Sequence, residues 1–353
     1  MRILALETSC DDTAAAIVDE GCWVRATVVV SQTQTHAQYG GVIPELAARE
    51  HGMAVNQAIA AALTQAECPL ESIDIVAATV GPGLVGALLV GATAAKTLAT
   101  ILGKPFRGVH HLQGHIAACY LKSAPESPDW QPPFICLLAS GGHTQLIHVR
   151  RLTDWVVLGE TLDDAVGEAY DKVGRLLKLP YPGGPHVDAL AIKAAQEGLS
   201  ALLENGRFPI ARTENPLCMS FSGLKTAVLR YVERHAPSPE DTMAWAAFQQ
   251  MVAGHFQATI MQTLLGKIQR ACEQTDCWRV ALAGGVAANA GLRQTLQVWQ
   301  QESPQRTVFL PEKRFCTDNA AMIAAAAFVS PWTHDRGEEV FSRAPITDRL
   351  TPT

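Results

Sequence analysis

The stretches ETSCDDTAAAIVDEG (residues 7–21) and LASGGHTQLIHV (residues 138–149) share one pattern, in which an apolar run, a small polar turn and a second apolar run follow each other. Aligning them pairs Ser9 with Ser140 and Thr13 with Thr144, so both carry Ser-x-x-x-Thr. Such strand–turn–strand units direct backbone N–H groups and short hydroxyls toward one spot, where a phosphate can bind. Two of them, one in each half of the chain, predict two related lobes with a nucleotide clamped between them.

The composition favours a two-domain α/β protein. The chain has 353 residues, 48% of them hydrophobic, and a length prior of about 150 residues per domain suggests two domains. Solid apolar runs such as ILALET, DIVAATV, FICLLAS and RVALAGG are typical of strands covered on both faces, with Ala- and Leu-rich helices between them. A net charge of −6 excludes a bulk nucleic-acid binder. Any RNA contact must therefore come from a local basic patch or from a partner.

The cysteines and the chain start indicate a cytoplasmic protein. The nine cysteines are odd in number and include no Cys-x-x-Cys pair, which disfavours a disulfide framework or a zinc ribbon. The N-terminus MRILALETS reads as a strand rather than a signal peptide. Residues 75–95 are uncharged and long enough to span a membrane, but Gly-Pro-Gly at 81–83 interrupts them. We therefore expect a strand, a turn and a helix there, and no membrane association.

The histidine-rich stretch VHHLQGHIAACY at 109–120 is a candidate metal site. His111 and His115 are four residues apart and would share one face of a helix, whereas His110 would point about 100° away. Helical pairs of this spacing also occur without metal, so the pattern leaves both readings open. A peptidase would need Glu directly after the first His, and Leu112 stands there.

A third glycine-rich turn lies in VALAGGVAANAGLR at 280–293. Gly284 and Gly285 would let a ligand approach the backbone closely, and the side-chain amide of Asn289 could reach it. The alternative is a plain strand-to-helix turn, because glycine favours such turns in any case.

Taken together, these motifs resemble one family. With HAQYGGVIPELAAREH at 36–51, DDAVGEAYDKVGRLL, YPGGP, SFSGLKT and TDNAAMI, they run from residue 3 to about 325 in the order of the bacterial tRNA adenosine threonylcarbamoyltransferases, once catalogued as O-sialoglycoprotein endopeptidases. The resemblance implies the actin-like ATPase fold of sugar kinases and heat-shock ATPases, with two related lobes around a nucleotide cleft. We expect lobes at 1–132 and 133–316, with a C-terminal helix at 317–353 completing the first.

The implied reaction moves a threonylcarbamoyl group from threonylcarbamoyl-AMP to the N6 amine of the adenosine 3′ of the anticodon, in tRNAs that read codons beginning with A, and releases AMP. The implied protein partners are a smaller paralogous actin-like protein and a P-loop ATPase, with a homodimer as an alternative for the isolated chain. An actin-like ATPase acting as a regulatory or chaperone module remains the alternative function, and it would hold ATP or ADP. A metallopeptidase is disfavoured because this sequence lacks the general base that such an enzyme needs.

The resemblance also selects site residues. Two histidines and one carboxylate, His111, His115 and Asp318, would bind iron(II) or, second, zinc. Asp11 would take the proton of the attacking amine, although a turn Asp often only bonds its own backbone. The family's usual turn has Glu where this chain has Asp12, which puts the role of that position in doubt. The expected adenylate-binding residues are Leu138, Ala139, Ser140, Gly141, Gly142, Asp171, Gly184, Asp188 and Asn289.

Two of these assignments keep an alternative. Asp171 and Asp188 would accept hydrogen bonds from ribose hydroxyls. By spacing alone, Asp171 could equally lie on a solvated helix face, and Asp188 could cap the helix DALAIKAAQ.

Overall fold

The computed structural model describes residues 1–198, 208–329 and 339–346. The chain divides into two compact units. Unit 1 comprises residues 1–132 and 151–155 with the described part of 311–353, and unit 2 comprises 133–150 with the described part of 156–310.

Unit 1 contains a five-stranded sheet of order β3-β2-β1-β4-β5, in which β1 pairs antiparallel with β2 and parallel with β4. Its strands are β1 Arg2–Glu7, β2 Asp12–Asp19, β3 Trp23–Ser31, β4 Ile75–Gly81 and β5 Phe106–His110. Its helices are α1 Thr33–Ala37, α2 Pro44–Gln65, α3 Val85–Leu102, α4 His111–Ala117 and α10 Ala320–Val329.

Helices cover both faces of this sheet, as the solid apolar runs predict. Leu4 and Leu6 of β1 belong to a buried cluster with the apolar sides of α2 and α3. The alternate residues Ile3 and Ala5 are also fully buried and face the opposite side, where α10 packs on β1 and β2. Such coverage leaves the ends of the strands as the places where polar side chains can gather.

The uncharged segment 75–95 forms the strand and the helix expected on either side of Gly-Pro-Gly. Among the described residues, α3 alone has the length and apolar composition of a membrane span. It packs on β4 and α2, and its small residues allow close approach to β1: a Cβ on Gly91 would lie 2.3 Å from Thr8 Oγ1. Those contacts bury one side of α3 against unit 1, while its other side is exposed.

Unit 2 repeats the strand order of unit 1. Its sheet runs β10-β9-β6-β7-β8, with β6 antiparallel to β7 and parallel to β9. Its strands are β6 Phe134–Ala139, β7 Thr144–Arg151, β8 Asp154–Glu160, β9 Arg279–Ala283 and β10 Thr307–Phe309. Its helices are α5 Val166–Leu176, α6 Gly183–Gln196, α7 Ser222–His235, α8 Thr242–Thr275 and α9 Ala290–Gln301. The Ser-x-x-x-Thr repeat thus occupies equivalent β1–β2 and β6–β7 turns.

One boundary needs correction. We expected a helix over 317–353, but α10 begins at Ala320 and its described part ends at Val329. Residues 339–346 are irregular and cross the end of β4, where Phe341 N–H donates to the Val80 carbonyl. A proline such as Pro345 supplies no N–H for a helical hydrogen bond, which is incompatible with one continuous helix. The rest of 330–353 lies outside the described residues.

Candidate functional sites

The candidate metal ligands meet at the carboxyl ends of the parallel strands of unit 1. Strand β5 ends at His110, and α4 begins at the next residue, so His111 and His115 lie one turn apart with ring centroids 4.7 Å from each other. At the start of α10, Asn319 Oδ1 accepts the N–H of Met322 and thereby caps the helix. Asp318 immediately precedes this capping residue. The Asp318 carboxylate is therefore not used for capping and can face the histidines.

Close packing between α4 and α10 brings the three side chains together. A Cβ on Gly114 would lie 2.7 Å from Ile323 Cδ1, so this glycine lets the two helices approach. Asp318 Oδ1 lies 3.4 Å from His115 Nε2 and 3.7 Å from His111 Nε2. Two ligands that are each about 2.1 Å from one metal ion are separated by about 3.0–3.4 Å. The side chains therefore need only small shifts to bind one ion.

Two further observations fit a metal. The candidate ligand atoms of His111, His115 and Asp318 all lie within 4.8 Å of one another. His115 is buried, and apart from the 3.4 Å approach of Nε2 to Asp318 its ring nitrogens make no hydrogen bond with a described residue. Buried polar atoms normally have partners, and a metal ion would supply one. Two imidazoles and one carboxylate also form a donor set that leaves coordination positions open.

Electrostatics favour a cation at this centre. Burial opposes a positive charge on His111. The carboxylates of Glu7 and Asp318 outweigh this effect and raise the pKa of His111 to about 9. Burial would likewise raise the pKa of Asp318, yet His111 and His115 lower it to about 2. For His115 burial dominates and lowers the pKa. The fully buried carboxylate of Glu7 and the half-buried carboxylate of Asp318 thus lie beside these imidazoles, and a divalent cation would neutralise them.

The first polar turn, between β1 and β2, lies beside these ligands and is held by residues that sequence patterns did not identify. Leu84 N–H donates to the Ser9 carbonyl, and His51 from α2 lies 3.1 Å from the Cys10 carbonyl through Nε2. Because a carbonyl only accepts, Nε2 of His51 carries the proton and Nδ1 accepts from Thr13 Oγ1 at 2.7 Å. The conformation of the turn is therefore fixed from outside.

This turn presents two adjacent carboxylates, both half-buried. The backbone carbonyl of Asp11 accepts the N–H of Gln32. Asp12 begins β2, and its Oδ1 is buried without a partner among the described residues. Burial first, and then the neighbouring carboxylates, raise the pKa of Asp12 to about 6. A carboxyl pKa this close to neutral is unusual for a turn aspartate.

In unit 2, glycine-rich turns follow two adjacent parallel strands. Strand β6 leads into Ser140-Gly141-Gly142, and its neighbour β9 leads into Gly284-Gly285. Gly284 has φ 84°, and a Cβ there would lie 2.4 Å from the Ala139 carbonyl oxygen, so only glycine fits. In contrast, a Cβ on Gly141 or Gly142 would meet nothing within 4 Å. The turn Ser140-Gly141-Gly142 therefore faces open space in which a ligand could lie. Leu138 and Ala139, just before it, are buried in β6.

Helix α5 reaches this turn at its N-terminus. The N–H of Gly167 donates to the Ser140 carbonyl, and the N–H of Val166 donates to Thr144 Oγ1. Further along α5, Asp171 Oδ1 accepts the N–H groups of Gly183 and Gly184 at the start of α6. Both of these bonds use Oδ1, so Oδ2 remains the atom that could face a ribose hydroxyl.

Asp188 and Asn289 hold the start of α9. Asp188 lies inside α6, so it does not cap that helix. Its carboxylate accepts the N–H groups of Ala290 and Gly291 and the side-chain amide of Gln257. Asn289 caps α9 by accepting the Leu292 N–H, and its amide nitrogen lies 3.2 Å from Gln257 Oε1. Both side chains thus have structural partners that the sequence did not predict.

The sequence matches the model of one protein family, described as TsaD, tRNA N6-adenosine threonylcarbamoyltransferase, over residues 24–325. A relative with that name from Crocosphaera subtropica is 46% identical over 99% of both chains. Another from Nostoc sp. is 49% identical over 92% of this chain and 90% of its own.

Solved structures agree on the fold. HypF from T. kodakarensis superposes with a TM-score of 0.57 at 12% identity, covering 92% of this chain and 47% of its own. Component A of the (R)-2-hydroxyglutaryl-CoA dehydratase of Acidaminococcus fermentans superposes with a TM-score of 0.51 at 15% identity. The superposition covers 93% of this chain and 98% of component A. These likenesses confirm the actin-like ATPase fold expected from the sequence. With a family match over most of its length and relatives approaching half identity, the chain belongs to the tRNA N6-adenosine threonylcarbamoyltransferase family.

Proposed function

We propose that this protein transfers the threonylcarbamoyl group of threonylcarbamoyl-AMP to N6 of the adenosine 3′ of the tRNA anticodon, with release of AMP. Family membership supplies the reaction class, and the observation that carries the proposal is the cluster of His111, His115 and Asp318. An actin-like ATPase module would hold Mg²⁺ mainly through phosphates and carboxylates, so it would not need this imidazole pair. A peptidase would need a general base, and Leu112 and Gln113 follow His111 instead.

Each unit has a separate task in this proposal. Unit 1 would hold the metal, with iron(II) favoured because two histidines and a carboxylate suit it. When bound, the metal would act as a Lewis acid on substrate oxygens. Unit 2 would hold the adenylate, with the turn Ser140-Gly141-Gly142 at the phosphate and Asp171 at the ribose. Gly184, Asp188 and Asn289 would shape this site by fixing the N-termini of α6 and α9.

Asp11 is the proposed proton acceptor. The exocyclic amine of adenine is a weak nucleophile, so it must lose a proton as the new C–N bond forms. Asp11 lies in the turn that Ser9, Cys10 and Thr13 anchor from both sides. An anchored turn can keep this carboxylate oriented toward the amine, which is what such a step requires.

The proposed reaction is tested by reconstitution. Purified protein is incubated with threonylcarbamoyl-AMP and unmodified tRNA, with and without candidate partners, and modified adenosine and AMP are quantified together. We expect one AMP per modified adenosine. If no tRNA is modified but the protein alone hydrolyses added ATP, the ATPase alternative is favoured.

Gly142→Val should separate ligand binding from folding. The valine side chain would meet no protein atom near its Cβ, so the thermal melt should stay close to wild type. It would occupy the space assigned to the phosphate, and overpacking of about 1–3 kcal/mol corresponds to roughly 5- to 150-fold weaker binding. Titration with threonylcarbamoyl-AMP measures the effect. Gly52→Val, at an equally open glycine on α2, is the matched control, and equal affinities of the two variants would move the phosphate away from this turn.

A partner surface is proposed on α2 and α3. Ala48 of α2 is half-buried, because its Cβ lies 3.3 Å from where a Cβ on Gly86 of α3 would be. The exposed apolar side chains toward the N-terminal halves of these helices include Met53 (63%) on α2 and Val85 (44%) and Leu89 (50%) on α3. These residues suit a paired helix of the smaller paralogous protein, while the P-loop ATPase is assigned no surface. A cytoplasmic location would give access to tRNA and to these partners.

Leu89→Arg should weaken the complex with the paralogous partner by about tenfold or more, since a central interface residue typically costs 1–2 kcal/mol or more when it is lost. Ile101→Arg is the control, because Ile101 is 74% exposed at the other end of the same helix. Gel filtration and a thermal melt are read together. If both variants form the complex equally well, this part of α3 is outside the interface.

A further inference from the structure

Glu7 is a fully buried carboxylate directly behind a metal ligand. It is the last residue of β1, and its Oε2 lies 3.0 Å from His111 Nδ1. Thr79 Oγ1 donates to the same oxygen at 2.5 Å, and the Ser9 N–H donates to Oε1 at 2.6 Å. A buried charge persists only when it is paired and hydrogen-bonded, and Glu7 has both kinds of partner.

These contacts determine which nitrogen of His111 keeps its proton when the ring is neutral and binds a metal. An ionised carboxylate only accepts hydrogen bonds, so His111 Nδ1 must donate to Glu7. Ser9 Oγ, 3.1 Å from the same nitrogen, can accept as well. In the neutral imidazole the other nitrogen, Nε2, is then a bare acceptor, and it is Nε2 that faces Asp318 at 3.7 Å.

We propose that Glu7 is a positioning residue, which holds His111 in the tautomer and ring orientation whose Nε2 binds the metal. Carboxylates that bind the second nitrogen of a metal-ligating histidine fix its geometry in this way. The inference builds on the metal site proposed above and adds a residue that does not itself touch the ion. It also explains why a full negative charge is retained at a site with no exposure to solvent.

The isosteric variant Glu7→Gln should invert the arrangement. The Ser9 N–H would fix the amide oxygen at the Oε1 position, so the amide NH₂ would take the Oε2 position and face His111. That NH₂ can only donate, and its acceptor would be His111 Nδ1, while Thr79 can rotate its hydroxyl to accept. The proton of His111 would then sit on Nε2, where it blocks metal binding.

The test is Zn²⁺ affinity, measured by chelator competition on metal-free full-length protein without tRNA or nucleotide. Glu7→Gln should lose about 10- to 100-fold in affinity. Thr79→Val removes another hydrogen bond to the same carboxylate but leaves its charge. The Zn²⁺ affinity of this variant should therefore stay within about threefold of the wild-type value. Unchanged affinity in Glu7→Gln, or an equal loss in both variants, would overturn the proposal. Because no transfer is assayed, either result is independent of the proposed reaction.

A measurement on the unmutated protein covers the case in which Glu7→Gln does not fold. Long-range ¹H–¹⁵N correlation of ¹⁵N-histidine-labelled, Zn²⁺-loaded protein reports each tautomer, and His111 is assigned as the signal lost in His111→Ala. We expect Nδ1 of His111 to be protonated and Nε2 to be bound to metal. A metal-bound Nδ1 would exclude the role given to Glu7.

Discussion

The His115→Ala protein will be purified with less than roughly a tenth of the metal of the wild type, and it will lose transfer activity in parallel. Losing one of three protein ligands should cost more than the 10- to 100-fold in affinity that outer-shell changes cost. His115 is buried, and its nitrogens have no competing partner among the described residues, so no other group would take its place. Elemental analysis of the variant, freshly purified without chelators, measures the change, and His111→Ala should behave similarly.

The control is His110→Ala. The ring of His110 lies 6.0 Å from that of Phe341, and its Nε2 is 3.4 Å from the Ala344 carbonyl oxygen. These contacts belong to the segment 339–346 rather than to the metal cluster. The variant should melt at a lower temperature but keep its metal. A His115→Ala protein that retained its full metal content would remove this residue from the ligand set.

Sequence patterns predicted those parts of the site whose residues lie on a single helix or turn. The four-residue spacing of His111 and His115 was informative because α4 begins directly after β5, so both rings share a face. Asp318 was selected by the family resemblance, and its position just before α10 follows from the cap that Asn319 supplies. The repeat around Ser9 and Ser140 predicted two related lobes, and in the structure each turn joins an antiparallel pair at the same place in its sheet.

Residues that act across the fold escaped prediction. No spacing connects Glu7 with His111, 104 positions apart, or His51 with the Cys10 carbonyl. Their contacts arise only when β1, β5 and α2 pack together. Asp188 was expected at a helix end or a ribose, yet its partners are the N–H groups of α9, 102 residues away. The exposure of Ala48 likewise depends on a distant residue, because Gly86 lets α3 approach that side of α2.

The second large effect is expected for Asp11. Asp11→Ala should leave the affinity for threonylcarbamoyl-AMP nearly unchanged and cut single-turnover transfer by about 10²-fold or more, the range for loss of a general base. The side chain lies in a turn of unit 1, whereas the adenylate contacts are assigned to unit 2, so binding and chemistry should separate. Binding titrations and single-turnover transfer to unmodified tRNA are measured on the same preparations.

Asp12→Ala is the informative companion, because the two carboxylates are adjacent but differ in environment. Burial and neighbouring carboxylates raise the pKa of Asp12 to about 6, which by itself would suit a general base, but its Oδ1 is buried and is therefore less accessible to the amine. We therefore expect Asp12→Ala to retain more transfer than Asp11→Ala. If Asp12→Ala loses as much, the base lies at position 12, where relatives of the family carry Glu. If Asp11→Ala weakens binding and transfer equally, Asp11 is a substrate-binding residue.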